Sequence, residues 1–376
     1  MAGRTMLSAG GCLTMSDELE FLERDSLPPA YEIRDLGLLF DGRFCQAKGV
    51  NSHGAVVGEA DMTLGVHAVS WRRGVLTDLA PDSLYPCRAI DINDDGRIVG
   101  VATLDPDLGP VSVLWVEGKM IDLSNLGLPG DGVRAINNQG QIVGESYFSD
   151  RRAPGAFLWQ CGNLTDLSGP NVDGGGTAEA INQYGQAAGH ISALTYFDQA
   201  FFWSGEESRD LGIGRALAIN DYAEIAGRTY QGNNEPIACF WTDFRRREIP
   251  LLPGWNNSEA LAINNGGEIV GWMAHARGDQ CAFLWKNEYV IDLNDVIDLN
   301  QGWNLQAATA INESGQIVGW GFLEHRHHGF ILTPHDRSSR PSRREPPPRG
   351  AVEHAPIPDP PAGRVARLPE TESVMI

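Results

Sequence analysis

The chain has 376 residues, and its 29 lysines and arginines against 49 aspartates and glutamates give a formal net charge of −20. This charge argues against a nucleic-acid-binding protein, because phosphate contacts need a basic surface. The hydrophobic share of 42% is too high for a disordered chain. The sequence also lacks a run of about 18 apolar residues, which a membrane-spanning helix would need. The 44 glycines and 10 tryptophans instead favour an all-β protein rich in turns.

The N-terminal residues 1–30 have no typical export signal, because their apolar stretch is short and acidic residues follow it at once. The missing signal favours a cytoplasmic location, and we expect this segment to be disordered. Residues 31–37, with the sequence YEIRDLG, are the first segment with the composition of a β-strand.

A module of the form A-x-A-I-N-x-x-G-x-I-V-G recurs seven times from residue 47 to residue 319, with its asparagines 38 to 48 residues apart. A glycine follows the asparagine after three residues in every module except the fifth, which has Ala223. Another glycine follows after seven residues in all of them. Self-similarity at this period is typical of repeat folds. The repeated asparagines are Asn51, Asn93, Asn137, Asn182, Asn220, Asn264 and Asn312.

Each part of the repeat predicts a piece of β-structure. Ala-x-Ala-Ile and Ile-Val-Gly predict two short strands, and Asn-x-x-Gly predicts a type I turn closed by a left-handed glycine. We expect both repeated glycines to occupy turn positions. A phrase like A-F-L-W, which ends at tryptophan in six repeats, and a phrase like L-T-D-L-G predict a third and a fourth strand. Four short strands in about 44 residues are the unit of a β-propeller blade.

The order of these strands along the chain predicts a closed ring. The fourth-strand phrase at residues 31–37 has no repeat before it, and the seventh repeat ends near Leu332 without such a phrase. The N-terminal strand therefore completes the last blade and removes a free sheet edge. The sequence predicts an all-β, seven-bladed β-propeller with four strands per blade over residues 31–335, which we expect to be a monomer. An open or differently counted β array is the alternative.

The C-terminal residues 336–376 have a different composition from the repeats. They contain nine of the 22 prolines and seven arginines, and no phenylalanine, tryptophan or tyrosine. Such a segment buries too little apolar surface to offset its chain entropy. It therefore predicts a disordered tail.

Four phrases carry a family resemblance: Ala156-Phe157-Leu158-Trp159, residues 135–144 (AINNQGQIVG), His67-Ala68-Val69 and His328-Gly329-Phe330. They resemble the bacterial HAF repeat family, and the resemblance covers residues 31–334. It implies a propeller-like β-fold and an extracellular setting, which is the alternative to the cytoplasmic location above. It implies no established activity, and no catalytic residue is carried over from it.

The six cysteines form no CxxC pair and no zinc-like spacing with histidine. In a chain of this length, scattered cysteines predict buried free thiols rather than a disulfide framework. Cys45 and Cys87 occupy matching repeat positions, so one bridge between them is the alternative.

Positions that vary between otherwise similar repeats are the candidates for ligand binding. The residue after the invariant glycine opens the loop between the second and third strands, and this loop shares the top face with the loops between blades. These positions and two tryptophans of the inter-blade loops give the candidate ligand-binding residues Glu59, Glu145, His190, Arg228, Trp255, Trp272, Trp303 and Trp320. The four tryptophans predict an aromatic platform for a sugar or a peptide. Packing between neighbouring blades is the alternative.

Two segments contain residue types that bind metals. Asp91, Asn93 and Asp95 match the start of a calcium-binding loop, but Ala102 stands where the twelfth position of that loop has a glutamate. The repeated structural turn is the alternative at this segment. The histidines of residues 325–328 are a second metal candidate, with a solvated loop as the alternative. We expect no cofactor other than calcium.

The sequence has no hydrolase elbow, Walker loop, dinucleotide fingerprint or HExxH motif. We therefore predict a non-enzymatic binding or scaffold protein that takes a protein, a peptide or a glycan on its top face. The alternative is a polysaccharide-directed hydrolase or lyase that uses two acidic residues of this face as acid and base. The acidic candidates are Glu59, Asp61, Asp105, Asp107, Glu145 and Asp150.

Overall fold

The computed structural model describes residues 30–335, except residues 64, 149–152, 169–174, 193–196, 206 and 232–234. The described residues form 28 strands in seven four-stranded sheets, with three short 3₁₀-helices between them. The predicted seven-bladed β-propeller is thus confirmed. The predicted disordered segments, residues 1–30 and 336–376, lie outside the described residues apart from Ala30, and so does the acidic candidate Asp150.

The strands follow one another around the ring in chain order. The N-terminal strand is β1 (Tyr31–Asp35). Blade 1 has β2 (Cys45–Val50), β3 (Val56–Met62), β4 (Gly65–Arg72) and β5 (Val75–Asp78). Blade 2 has β6 (Cys87–Ile92), β7 (Ile98–Asp105), β8 (Gly109–Val116) and β9 (Lys119–Asp122). Blade 3 has β10 (Val133–Ile136), β11 (Ile142–Ser146), β12 (Gly155–Gln160) and β13 (Asn163–Asp166). Blade 4 has β14 (Gly175–Ile181), β15 (Ala187–Ser192), β16 (Gln199–Ser204) and β17 (Glu207–Ile213).

The remaining three blades continue this order. Blade 5 has β18 (Arg215–Ile219), β19 (Ile225–Tyr230), β20 (Pro236–Thr242) and β21 (Arg245–Glu248). Blade 6 has β22 (Asn257–Ile263), β23 (Ile269–Ala274), β24 (Gln280–Lys286) and β25 (Tyr289–Asp292). Blade 7 has β26 (Trp303–Ile311), β27 (Ile317–Leu323) and β28 (Arg326–Pro334). The 3₁₀-helices are Leu123–Leu126, Leu293–Val296 and Leu299–Gln301. Within the described part of the chain, no helix is long and apolar enough to cross a membrane.

The ring closes through the N-terminal strand. β1 pairs with β28 antiparallel, from Tyr31 opposite Pro334 to Asp35 opposite Phe330, and becomes the fourth strand of blade 7. The predicted strand over residues 31–37 ends two residues early, because Asp35 Oδ1 accepts a hydrogen bond from the Gly37 N–H and Gly37 has a φ of 80°. The predicted closure is confirmed.

An aspartate of the fourth-strand phrase accepts a hydrogen bond from the N–H two residues further on in six blades. The short aspartate side chain thus forms a local turn where the fourth strand gives way to the loop. In two repeats a histidine stands directly before the phrase like A-F-L-W, and its side chain contacts this aspartate. His67 Nδ1 lies 2.9 Å from Asp78 Oδ2, and His328 Nδ1 lies 2.9 Å from Asp35 Oδ1.

The repeated asparagines form a ring of hydrogen bonds around the channel. In each repeat, Nδ2 donates to the backbone oxygen of the next repeat's asparagine at 2.9–3.2 Å, and Asn312 donates to Asn51 to complete the circle. In each repeat, Oδ1 also accepts from the backbone N–H four residues further on. One buried side chain therefore holds its own turn and joins two blades, which explains why the asparagine recurs in every repeat.

The two repeated glycines have different causes. The first closes the predicted turn with φ between 73° and 79° in six repeats, and Ala223 adopts a φ of 58° in the fifth. The prediction of a second turn glycine is wrong. The second glycine lies inside the second strand, where a Cβ would overlap a backbone oxygen of the first strand or, at Gly144, of the residue just before that strand. It recurs because the two backbones approach too closely for any side chain.

The first strand of each blade contacts the first strands of both neighbouring blades, so these strands surround the channel. Each first strand has a register shift at the second position of the Ala-x-Ala phrase. The residue at this position, here called the bulge residue, has no direct partner on the second strand. The bulge residues are Lys48, Ile90, Arg134, Glu179, Leu217, Leu261 and Thr309.

The cores lie between adjacent blades. Trp115, Trp159 and Trp241 are fully buried, and each donates its indole N–H to a backbone oxygen in or shortly after the fourth strand of the preceding blade. The five described cysteines are free thiols. Cys45 and Cys87 are buried without a bridge between them, whereas the prediction of a buried thiol is wrong for Cys161, which is exposed in the turn between β12 and β13.

Candidate functional site

The variable residues after the invariant glycine lie inside the second strands, between the bulges and the top face, so the prediction that they open the following loops is wrong. The top face is defined here by the loops between second and third strands and by the connections between blades. Opposite pairs across the first two strands include Thr177 with His190, Arg215 with Arg228, and Glu259 with Trp272. These positions and the bulge residues together form a belt of side chains around the channel, which is polar or charged in most places and apolar at the bulge residues Ile90, Leu217 and Leu261.

A cleft of about 360 Å³ lies on this belt, centred on blade 4. We call it the blade 4 cleft. Its lining combines charged side chains from blades 3, 4 and 5 with a short stretch of backbone from β14. The residues that line it are Arg134, Glu145, Pro154, Gly175, Gly176, Thr177, Glu179, His190, Ser192 and Arg215. Glu145 and His190 are two of the predicted site residues, and the cleft brings them together.

Arg134 links two carboxylates on one side of the cleft. Its Nη2 donates to Glu145 Oε1 at 2.7 Å, and its Nε lies 3.6 Å from Glu179 Oε2. Thr177 Oγ1 donates to the second oxygen of Glu145 at 3.0 Å. Burial raises the pKa of Glu179, although Arg134 opposes this shift. The two carboxylates therefore share one guanidinium, and the burial of Glu179 favours its protonated form.

His190 is buried in the wall of the cleft with 5% of its surface exposed. Its Nδ1 lies 3.4 Å from Glu179 Oε1 but outside hydrogen-bonding geometry, so this nitrogen has no hydrogen-bond partner among the described residues. Burial lowers the pKa of His190, and the nearby charge of Arg215 lowers it further against the opposing effect of Asp198. The imidazole is therefore uncharged at neutral pH, and its buried Nδ1 is left without a hydrogen bond among the described residues.

Arg215 forms the opposite side of the cleft. Its Nε donates to Asp198 Oδ2 at 2.6 Å, and its side chain is one-third exposed. In the described part of the chain, Nη1 and Nη2 of Arg215 make no hydrogen bond. The end of this guanidinium thus presents paired N–H donors, and such a pair suits a carboxylate or two neighbouring hydroxyls.

The belt continues on both sides of the cleft. Arg228 Nη1 lies 3.0 Å from Glu259 Oε1, and the Trp272 indole N–H donates to the other oxygen of Glu259 at 3.2 Å. Arg228 Nε is buried without a hydrogen-bond partner among the described residues. In blade 1, Glu59 contacts Lys48 at 3.3 Å and Arg88 of blade 2 at 2.9 Å.

The four candidate tryptophans are dispersed. Trp255 stacks on His275 with 4.0 Å between ring centroids, and Trp320 stacks on His327 at 4.4 Å. Trp303 meets His328 and Phe330 edge-on at 6.2 and 6.1 Å. No ring contact among the described residues joins two of the four tryptophans. Their role in ligand binding stays a prediction.

The segments predicted to bind metals have protein partners. Asp91 Oδ1 accepts from the Ile92 N–H and Oδ2 from the Ile136 N–H, while Asn93 belongs to the asparagine ring and Asp95 is exposed. No cluster of three or more histidine, cysteine, aspartate or glutamate side chains that could hold a metal occurs within the described ranges. Calcium binding at this segment stays a prediction.

The histidines of residues 325–328 do not converge. His327 stacks on Trp320, His328 pairs with Asp35, and His325 lies in a tight turn with a φ of 66°. Asp61, one of the acidic candidates, accepts hydrogen bonds from two backbone N–H groups, Arg43 and Phe44, and so fixes a loop.

Sequence reasoning missed three charged residues of the cleft region: Arg134, Glu179 and Arg215. Arg134 and Glu179 occupy the variable position of the Ala-x-Ala phrase. The spacing of this phrase does not show that its variable residue forms a bulge beside the channel. A comparison of this position across the repeats would have found them, because it is charged in three repeats and apolar in three others.

No protein-family model and no curated protein matches the sequence. The resemblance to the HAF repeat family therefore stays a prediction. The chain is similar in structure to the β-propeller domain of the Trilobed protease from Pyrococcus furiosus, with 10% identity, a TM-score of 0.50, and coverage of 81% of this chain and 98% of that one. That domain is described with an open velcro topology, whereas β1 closes the ring here.

Two further structures are similar at lower scores. One is the gluconolactonase XC5397 from Xanthomonas campestris, with 12% identity, a TM-score of 0.39, and coverage of 81% of this chain and 90% of that one. The other is a mutant of AofleA from Arthrobotrys oligospora, with 12% identity, a TM-score of 0.42, and coverage of 70% and 90%. At these identities the similarities show the propeller fold alone.

Proposed function

We propose that this propeller is a binding protein whose ligand enters the blade 4 cleft on the top face. The observation that carries the proposal is the buried Nδ1 of His190 in the wall of a charged cleft, which has no hydrogen-bond partner among the described residues. Burying a polar atom without a partner costs about 1–3 kcal/mol. A ligand that bonds to this atom recovers that cost.

The chemistry of the cleft favours a polar ligand over an apolar one. Its charged side chains are already paired within the protein, through Arg134 with Glu145 and Arg215 with Asp198. Such pairs hold their donors and acceptors in fixed positions before a ligand arrives, which lowers the entropy cost of binding. A glycan or a peptide main chain offers the hydroxyl, amide and carboxyl groups that such a surface recognises.

A binding screen of the full-length chain against arrayed glycans and peptides tests this proposal. For a ligand that binds, we expect Glu145→Gln and His190→Ala to weaken binding at least tenfold, whereas Glu288→Gln leaves it unchanged. Glu288 is a matched control because it pairs with an arginine, Arg247, on an exposed outer surface. Binding that survives both cleft substitutions would contradict the proposal.

A second candidate function is hydrolysis or elimination at the same cleft. Glu145 and Glu179 contact one guanidinium, and burial raises the pKa of Glu179, which favours Glu179 as the proton donor in such a reaction. An activity screen on acidic and neutral polysaccharides distinguishes the two functions. Turnover that is lost in both Glu145→Gln and Glu179→Gln favours the enzyme, and saturable binding without turnover favours the binding protein.

A further inference from the structure

Among the described residues, the Nη atoms of Arg215 are the guanidinium donors of the blade 4 cleft that make no hydrogen bond, whereas both Nη atoms of Arg134 make one. Of the three guanidinium nitrogens of Arg215, Nε donates to Asp198 at 2.6 Å. This ion pair holds the guanidinium in place and leaves its two Nη atoms facing away from Asp198. Ser192, whose hydroxyl bonds to the same Asp198, lies beside it in the lining. Planar guanidinium groups bind carboxylates through two parallel N–H donors. This side of the cleft therefore suits one anionic group.

The other side of the cleft suits hydroxyl groups. Glu145 and Glu179 present carboxylate oxygens there, and Arg134 between them offsets part of their charge. A neutral hydroxyl of a ligand can donate a hydrogen bond to either carboxylate. The uncharged His190 adds one more group that bonds to a hydroxyl without adding charge.

We propose that the blade 4 cleft recognises an acidic sugar, with the sugar carboxylate on the Nη atoms of Arg215 and the ring hydroxyls on Glu145, Glu179 and His190. This inference rests on the proposed binding function and names its ligand class. A sugar acid carries one carboxylate and several hydroxyls on one rigid ring, so it matches both sides of the cleft together. A peptide C-terminus carries the carboxylate without hydroxyls and fits only the Arg215 side.

The decisive experiment uses the unmodified full-length protein and pairs of ligands that differ in one charge. Calorimetric titration with D-galacturonic acid and D-glucuronic acid, with their methyl esters and with D-galactose compares the carboxylate with neutral analogues of similar size. We expect at least one acid to bind ten times or more tightly than its ester. The trimer of galacturonic acid, tested in parallel, shows whether a free sugar acid or a unit of an acidic polysaccharide is preferred.

Variants then locate the carboxylate. Arg215→Gln is expected to remove the preference for the acid over its ester, whereas Arg247→Gln, at an exposed arginine with its own carboxylate partner, is expected to keep it. Because Arg215→Gln leaves Asp198 without its arginine partner, the double variant Arg215→Gln with Asp198→Asn is measured as well, and both are checked for an unchanged melting temperature.

The outcomes separate this inference from the proposed function. Equal binding of acid and ester, with a loss in Glu145→Gln, would overturn the sugar-acid inference and leave a binding site for neutral glycans. Binding of an N-acetylated peptide with a free C-terminus, but of no sugar acid, would also overturn it. If every ligand binds equally well to the cleft variants, or none binds at all, both the inference and the proposed function fail.

Discussion

Asp91 is the one acidic side chain at a repeat position that otherwise holds glycine or alanine. It fits because the same position in blade 1 is Gly49, where a Cβ would lie 3.2 Å from Asp91 Oδ1. Two backbone N–H groups, those of Ile92 and Ile136, donate to its carboxylate. Burial beside the channel nevertheless raises the pKa of Asp91 to about 6, because desolvation outweighs these two hydrogen bonds.

This raised pKa predicts a pH-dependent stability. Between about pH 4 and pH 6 the folded state keeps a proton on Asp91 that the unfolded chain has lost, so the free energy of unfolding falls as the pH rises through this window. Asp91→Asn removes the titration. Relative to the unmodified protein, we expect the variant to gain about 2–3 kcal/mol of stability between pH 4 and pH 7.

Urea unfolding at several pH values measures the free energy of unfolding of both proteins. The contributions of all other acidic groups cancel in the difference between them. Asp95→Asn is a matched control, because Asp95 is exposed in the adjacent turn. Parallel pH profiles for the unmodified protein and Asp91→Asn would show that Asp91 is ionised in the folded state as in the unfolded chain.

The invariant glycine of the second strand is required by the bulge in the first strand. At Gly144, a Cβ would overlap the backbone oxygen of Gly132 and lie 3.0 Å from the Val133 Cα. Both neighbours are backbone atoms, so neither can move aside as a flexible side chain would. The close approach and the bulge therefore depend on each other in every blade.

We expect Gly144→Ala to lower the free energy of unfolding by about 3 kcal/mol or more, because the two strands must separate to admit the methyl group. Gly175→Ala is the control, since a Cβ there meets its nearest atom at an ordinary 3.4 Å. Chemical unfolding followed by tryptophan fluorescence measures both. An equal, small effect of the two substitutions would contradict the overlap.

The repeat made the blades predictable, because the turns, the strands and the closing strand each depend on residue types whose local conformation is known. The Asn-x-x-Gly turn and the strand at residues 31–37 belong to this class. The bulge was not predictable, because the Ala-x-Ala phrase predicts a regular strand and no residue type in it indicates the shift in register between the first two strands. Arg134 and Glu179 were missed for this reason, whereas Glu145 and His190 were found because they follow a glycine that can be aligned.

Closure of the ring joins parts of the chain that are farthest apart in sequence. Asn312 donates to Asn51, and β1 pairs with β28, so blade 7 is completed by residues from both ends of the described chain. A ring without a free edge unfolds as one unit, whereas an open array of repeats can lose its terminal repeat first. The fourth strand of blade 7 is the only one in the described ring that reaches its neighbour without a short covalent link.

Ile33 on β1 tests this closure, because it is 7% exposed and lies opposite Leu332 in the core between blades 6 and 7. We expect Ile33→Asp to release β1, since an unpaired carboxylate in this core costs several kcal/mol. Amide hydrogens of β26 to β28 then exchange faster than those of blades 2 to 5 in native-state hydrogen exchange. Glu32→Asp, on the exposed side of the same strand, keeps the uniform protection of the unmodified ring. If exchange in Ile33→Asp were faster to the same extent in all blades, the prediction would be wrong, because the substitution would then destabilise the whole ring and not blade 7 alone.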